Sequence, residues 1–194
     1  MRQSILLILL FGLLGGCSQM AQQPLPPLSI DPQQVQQLQQ WSAEGRIGIR
    51  WSEDSQSANL DWQQTEDRYQ IRVSGPLGQG GIRIEGNEQM VSLQRSGDDQ
   101  LYLADSPEAL MQQLLGWQLP LSQAQYWIRG IPAPGNEVES LSDGQFGFIQ
   151  SGWQIEYPRL THAAGIVLPE KLRMTRDDLR ITVIINTWER HDER

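Results

Sequence analysis

The chain has 194 residues, with 15 Lys and Arg against 23 Asp and Glu, a formal net charge of −8. That acidity gives it no electrostatic reason to seek nucleic acid, and it gains nothing overall from anionic headgroups. One cysteine, Cys17, rules out an intramolecular disulfide; seven Trp, many Gly and a single Lys, Lys171, favour strands joined by tight turns.

The chain opens with a positive residue, Arg2, then the apolar run Ile5 to Leu14, then Leu14-Gly15-Gly16-Cys17. The run falls short of the roughly 20 residues that a spanning helix needs and reads as a signal peptide over residues 1–16. Small residues before a cysteine resemble the lipobox of bacterial lipoproteins, with Cys17 carrying S-diacylglycerol and an N-acyl chain after cleavage. The alternative is an ordinary signal peptide with an incidental cysteine. Cleavage removes Arg2 and makes the mature charge −9. Ser18, rather than Asp, follows the cysteine. By resemblance to enterobacterial lipoproteins this favours the outer membrane, with the protein anchored in the inner leaflet and facing the periplasm. The lipid on Cys17 then has to dominate attachment. No other cofactor is expected.

Residues 17–31 are rich in Gln and Pro and read as a flexible tether. A single domain is expected over residues 32–194. It begins with a short helix: Asp31 as cap, Pro32 at the first helical position, Val35 and Leu38 on one face. From Ala43 the apolar period changes to two. Ile47, Ile49 and Trp51 alternate with polar residues, as do Ala58, Leu60 and Trp62; Tyr69, Ile71 and Val73; and Ile82 and Ile84. Met90 to Gln94 and Gln100 to Ala104 are further short strands, and polar turn residues separate them all. This is the pattern of an antiparallel meander with one wet face.

Ser106-Pro107-Glu108 starts a second helix, in which Leu110, Met111, Leu114 and Leu115 share a face and Gly116 ends the run. Ser122 is expected to cap a third helix that carries Tyr126, Trp127 and Ile128 and stops at Gly130-Ile131-Pro132. Strands resume after Gly144: Phe146 and Phe148, Trp153 to Tyr157, Leu172 and Met174 after Pro169, and Leu179 to Trp188. Roughly ten or eleven antiparallel strands and three helices predict a mainly β fold, a sheet that tends to curl into a barrel with the helices covering its concave face.

No catalytic signature emerges. His162 falls in an expected turn and His191 in a charged, solvated tail. No histidine pair has metal spacing, and Gly78-Gln79-Gly80-Gly81 precedes a strand rather than a helix. Asp98-Asp99 and Asp177-Asp178 look like hairpin turns. The unusual segment is Ser74 to Gly81, where Leu77 stands between Pro76 and Gly78 in a loop that ought to be polar. Read alone, Leu77 either protrudes for a purpose or folds back into the core.

An ordered series of short strings carries a resemblance to a known family. It comprises the lipobox at Cys17, Gly45-Arg46, Trp62-Gln63-Gln64, Pro76-Leu77-Gly78, Ser106-Pro107-Glu108, Leu119-Pro120-Leu121, Trp127-Ile128-Arg129-Gly130-Ile131-Pro132, Trp153 to Tyr157 and Asn186-Thr187-Trp188. Together these resemble the LolB family, outer-membrane receptors of the lipoprotein-sorting system. The resemblance covers nearly the whole mature chain, with Ala133 to Asp143 and the last six residues matching poorly. It implies a mainly β fold, an incomplete, unclosed antiparallel barrel of about eleven strands with about three helices plugging the concave side. It implies a hydrophobic cavity that accepts the acyl chains of cargo lipoproteins from a soluble, LolA-like periplasmic carrier of similar fold, followed by delivery into the outer membrane. It also implies that Pro76, Leu77 and Gly78 form a membrane-insertion loop, with Leu77 needed for delivery.

The inward residues Ile47, Ile49, Leu60, Trp62, Ile71, Val73, Ile82 and Ile84 are then expected to line the cavity, with Trp127 and Ile128 as lid contacts. The competing reading of these ten is a solid core. Three other functions stay open on sequence: a soluble carrier of the same fold, which would lack Cys17; an envelope lipoprotein that stacks glycans on its tryptophans; and a glycan hydrolase with paired carboxylates in one cleft. The resemblance favours a monomeric transport protein that catalyses no reaction.

Overall fold

A computed structural model describes residues 28–76, 80–87, 89–115, 120–142 and 144–191. The expected signal peptide, Cys17, Leu77, Gly78, Gly116 and the end of the charged tail lie outside these residues, as do the side chains of Leu114 and Leu115.

The chain order is α1 (Pro32–Gln36), β1 (Gln40–Trp51), β2 (Asp54–Thr65), β3 (Arg68–Ser74), β4 (Ile82–Gly86), β5 (Val91–Arg95), β6 (Leu101–Ala104), α2 (Pro107–Leu115), α3 (Leu121–Trp127), β7 (Val138–Ser140), β8 (Gly147–Gln150), β9 (Trp153–Ala163), β10 (Ile166–Arg176) and β11 (Leu179–Arg190). The strands form one antiparallel sheet in the order β6-β5-β4-β3-β2-β1-β11-β10-β9-β8-β7. Two meanders are thus joined where the first strand pairs with the last. The sheet does not close: β6 and β7 are its terminal strands, and the segment linking them carries α2 and α3. No helix among the described residues is long and apolar enough to cross a membrane.

Strand alternation sets the inner face as a stack of rungs. Leu60 opposes Val73, which opposes Ile82. One rung deeper, Trp62 opposes Ile71, which opposes Ile84, followed by Leu93 and Tyr102. The next rung is Trp41, Gln64, Tyr69 and Gly86. On the other side Ile47 faces Val183 and Leu172, and Ile49 faces Ile181 and Met174. The inward rows bury or half-bury their apolar side chains, while most Arg, Gln and Glu of the same strands stay wet; Gln64, on the Trp41 rung, is buried.

Gly45-Arg46 lies in the middle of β1, at the seam with β11. The β1–β11 register shifts between Glu44 and Gly45, and a Cβ at Gly45 would run into the Ile184 carbonyl and the backbone of Ile185. Gly45→Ala therefore forces apart the seam that joins the two meanders. It is expected to cost at least about 2 kcal/mol, as overpacking and backbone shifts typically do. A urea unfolding curve checks this; an unchanged midpoint would mean that the seam tolerates the methyl.

Several expectations need correction. Ser122 does not cap α3: Pro120 occupies the cap position, and the backbone N–H and hydroxyl of Ser122 both donate to Glu108 Oε1 of α2, at 3.0 and 2.7 Å. A carboxylate from the neighbouring helix thus satisfies an orphan N–H at the α3 start. His162 lies on β9 opposite Val167, because the turn comes later, at Ala164-Gly165, where both residues have positive φ. β10 begins before Pro169, which the sheet tolerates because the β9–β10 register shifts there. The Pro169 carbonyl accepts Trp188 Nε1 at 2.8 Å. β7 lies in the stretch that resembles the family poorly; all three of its residues are exposed, so it shows no alternation to read. His191 is exposed, with its ring nitrogen 3.1 Å from Ser42 Oγ.

Candidate functional site

The inward rungs and the two central helices do not meet everywhere. Between them lies a cavity of about 90 Å³ with an entirely apolar lining. Ile47, Ile49, Leu60, Trp62, Ile71, Val73, Ile82, Ile84 and Ile128 all border it. These are nine of the ten residues expected to line such a space, and strand alternation brings eight of them together. Met111, Leu121, Ala124, Leu172, Met174 and Val183 complete the wall.

Trp127 is the exception and corrects the expectation. Leu121, Ala124 and Ile128 are spaced i, i+3, i+7 and form one stripe towards the cavity. Trp127 sits about 100° away from that stripe. It is fully buried beside Trp153 and Tyr157, not at the cavity wall. Its Nε1 donates to Gln150 Oε1 at 2.8 Å, and its carbonyl accepts the Tyr157 hydroxyl at 2.8 Å. Burial holds that phenol well above its ordinary pKa, so it remains a donor. Trp127 therefore fixes where α3 lies.

The residues from Trp127 to Ile131 each have a place in the structure. Ile128 faces the cavity. Arg129 donates from Nη1 to the carbonyls of Leu38 (2.9 Å) and Val35 (3.4 Å), and from Nε to Gln125 O at 2.9 Å, tying α3 to the chain around α1. Its guanidinium also lies over Trp41 and Tyr126. Burial lowers the pKa of Arg129 from its usual value, and the carbonyls and rings are what compensate the buried cation. Gly130, with φ of 92°, ends the helix as its N–H and that of Ile131 turn back to the carbonyls of Trp127 and Tyr126. Ile131 is buried.

The two ends of the cavity differ. At one end Trp62 Nε1 donates to Gln64 Oε1 (3.1 Å), and Gln64 Nε2 reaches Gln125 Oε1 at 3.3 Å and Glu66 O at 2.8 Å. This polar layer separates the cavity from a wetter pocket bordered by Trp41, Tyr69, Glu108 and Arg129. There burial, with a contribution from Glu108, pushes the Tyr69 pKa up to about 12. At the other end Ile47, Ile49, Val73 and Ile82 are half-buried and form a mouth. The loop between β3 and β4 leaves from this same end, starting with the exposed Pro76. Leu77 and Gly78, the rest of the expected insertion loop, lie outside the described residues.

The tryptophans supply little surface for stacking sugars. Trp41, Trp62, Trp127, Trp153 and Trp188 are buried, Trp51 is half-buried, and Trp117 lies outside the described residues. Trp62 serves as cavity wall.

Comparison with known proteins agrees with this geometry. The model of the outer membrane lipoprotein LolB family matches residues 39–188. An outer-membrane lipoprotein LolB of Pseudomonas paraeruginosa is 44% identical over 160 residues, 81% of this chain and 78% of that protein. Its counterpart from Chromohalobacter salexigens is 40% identical over 193 residues, covering 94% and 88%. That from Cellvibrio japonicus is 39% identical, covering 92% and 91%. Among solved structures, a DUF1329 family protein from Desulfovibrio piger has a TM-score of 0.55 at 8% identity, covering 84% of this chain and 90% of its own. A LolA superfamily protein from Nitrosomonas europaea has a TM-score of 0.51 at 7% identity, covering 86% and 96%. These two similarities establish the fold.

Proposed function

The chain belongs to the LolB family of outer membrane lipoproteins, and we propose that it draws the acyl chains of cargo lipoproteins out of a soluble periplasmic carrier and releases them into the outer membrane. The observation that carries this reading is the all-apolar cavity with its mouth beside the β3–β4 loop. Each methylene kept out of water is worth roughly 0.8 kcal/mol, so cargo lipid requires shelter throughout its passage. Handover without nucleotide hydrolysis then requires a downhill series of affinities, in which about 1.4 kcal/mol per step gives tenfold bias. Kinship in fold with a LolA superfamily protein supports a carrier built on the same half-open sheet. Acylated Cys17 keeps the receptor in the inner leaflet, facing the periplasm, where delivery ends. The reading asks for no catalysis.

Leu77 acts at release. Pro76 precedes it and glycines follow, so in sequence the loop carries one large apolar side chain with no bulky neighbour to shield it from a bilayer. A carrier loaded with labelled lipoprotein, this protein and outer-membrane vesicles test the scheme. Leu77→Glu is expected to take cargo from the carrier at the normal rate and to leave nearly all of it undelivered. Normal delivery by the variant would remove Leu77 from the release step. Failure of the unaltered protein to take any cargo would overturn the receptor reading itself.

A further inference from the structure

The outer face of the sheet near β6 departs from the polar pattern elsewhere. Tyr102 and Ala104 of β6 face inward, opposite Leu93 and Val91, so Leu101 and Leu103 point outward. They are 55% and 59% exposed. Met90, exposed just before β5, borders the same shallow groove. β6 is also a terminal strand of the sheet. Two outward leucines on a four-residue edge are a liability in water unless something covers them.

Their surroundings point to what covers them. One cross-strand row on this face runs Leu101, Gln94, Arg83, Arg72. Arg72 and Arg83 pair with Asp61 and Glu85 and remain half exposed. Edge leucines with long-stemmed arginines two and three strands further along the same face suit the boundary between acyl chains and headgroup phosphates. The position fits as well. Arg95, at the end of β5, opposes Ile82 at the cavity mouth, and Ser96 N–H donates to Gly81 O at 2.9 Å, so the β5–β6 turn leaves beside the β3–β4 loop. The chain from Cys17 to Leu28 reaches at most about 40 Å. A lipid on Cys17 thus holds the domain within its own dimensions of the bilayer.

We propose that the outer face of β6, through Leu101 and Leu103 with Arg83 and Arg72 further along the Leu101 row, is a second bilayer contact that seats the cavity mouth on the membrane. It rests on the lipid-delivery reading, with the phospholipid surface as the partner. Because acylation consumes the thiol of Cys17, Leu103→Cys creates the single free thiol in the mature chain. The full acylated protein carrying a fluorophore there is placed in phosphatidylethanolamine/phosphatidylglycerol vesicles that contain nitroxide-labelled lipid. Quenching at least about threefold stronger than at His162→Cys, an exposed position on β9 at the end of the sheet away from the cavity mouth, is expected for a side chain in the interface. Equal quenching at 103 and 162 overturns the proposal.

A probe at Leu77→Cys separates the two readings. Quenching at 77 but not at 103 overturns the β6 surface and leaves loop insertion standing. Quenching at 103 alone supports the surface and removes the loop from the bilayer. A change at 103 that needs added carrier, or rises with receptor concentration and not with vesicles, assigns the face to a protein partner and overturns the proposal. In the transfer assay Leu101→Ser with Leu103→Ser should load normally and deliver several-fold more slowly; unchanged delivery counts against it.

Discussion

Replacing Ala124 by phenylalanine is expected to weaken binding of a fluorescent acyl probe by at least about tenfold while the domain still folds. Ala124 sits on the cavity stripe of α3 between Leu121 and Ile128 and is almost wholly buried. Its methyl is the smallest group on that wall, so a ring added there grows into the cavity. The cavity holds about 90 Å³, so a phenyl ring takes most of it. Excluding only two methylenes of a ligand removes roughly 1.6 kcal/mol, which already exceeds a tenfold loss of affinity. Overpacking costs typically 1–3 kcal/mol, and an empty apolar space absorbs part of that. Probe titration with a thermal melt on the same sample separates the two effects. A folded variant that binds the probe normally would place the acyl chains somewhere other than this cavity.

Alanine at 124 illustrates what could and could not be read from the sequence. Period-two alternation identified the inward residues of β1 to β4 because a strand allows its side chains just two directions. That is why these eight strand positions, which alternation puts on one face, meet in space. Leu172 and Met174 carried the same signal on β10, but their arrival opposite Ile47 and Ile49 depends on β11 pairing with β1, a contact between the two ends of the domain. Local pattern contains no such pairing. On α3 the adjacent residues Trp127 and Ile128 are both expected at the cavity from sequence, yet neighbours on a helix diverge by about 100°, and of the two just Ile128 reaches it. Helical spacing from Ile128 would have found Ala124 and Leu121 instead. The polar groups that hold the helices left no periodic trace. Glu108 reaches Ser122 on another helix, Arg129 reaches carbonyls at 35 and 38, and Gln150 is a polar residue in an apolar core. Hydrophobic pattern is blind to a polar side chain whose partners come from afar.

Gln150 is where that blindness matters most for stability. It is 1% exposed at the end of β8. Its Oε1 accepts from Trp127 Nε1 at 2.8 Å and from Ala133 N–H at 2.9 Å, while its Nε2 donates to Ala133 O at 2.7 Å. One amide thus serves two donors and one acceptor that have no water to turn to, and its Nε2 also reaches Asn136 O at 3.5 Å. Gln150→Leu keeps the volume and strands all three. Each stranded group costs about 1–3 kcal/mol, so a loss of at least about 3 kcal/mol is expected. For a domain of this size that corresponds to roughly 6–12 °C in Tm. Gln150→Glu keeps the acceptor for Trp127 but leaves Ala133 O without a donor and buries a charge, so it should not rescue. Trp127→Phe removes the indole donor, so in a double-mutant cycle with Gln150→Leu the combined loss should fall short of the sum. Calorimetry on the four proteins reads this directly, and strict additivity would show that the two side chains do not act together. Because Trp127 sets the position of α3, the same weakening should loosen Ala124 and Ile128 over the cavity. Gln150→Leu is then expected to bind acyl probe less tightly even at temperatures where it remains folded.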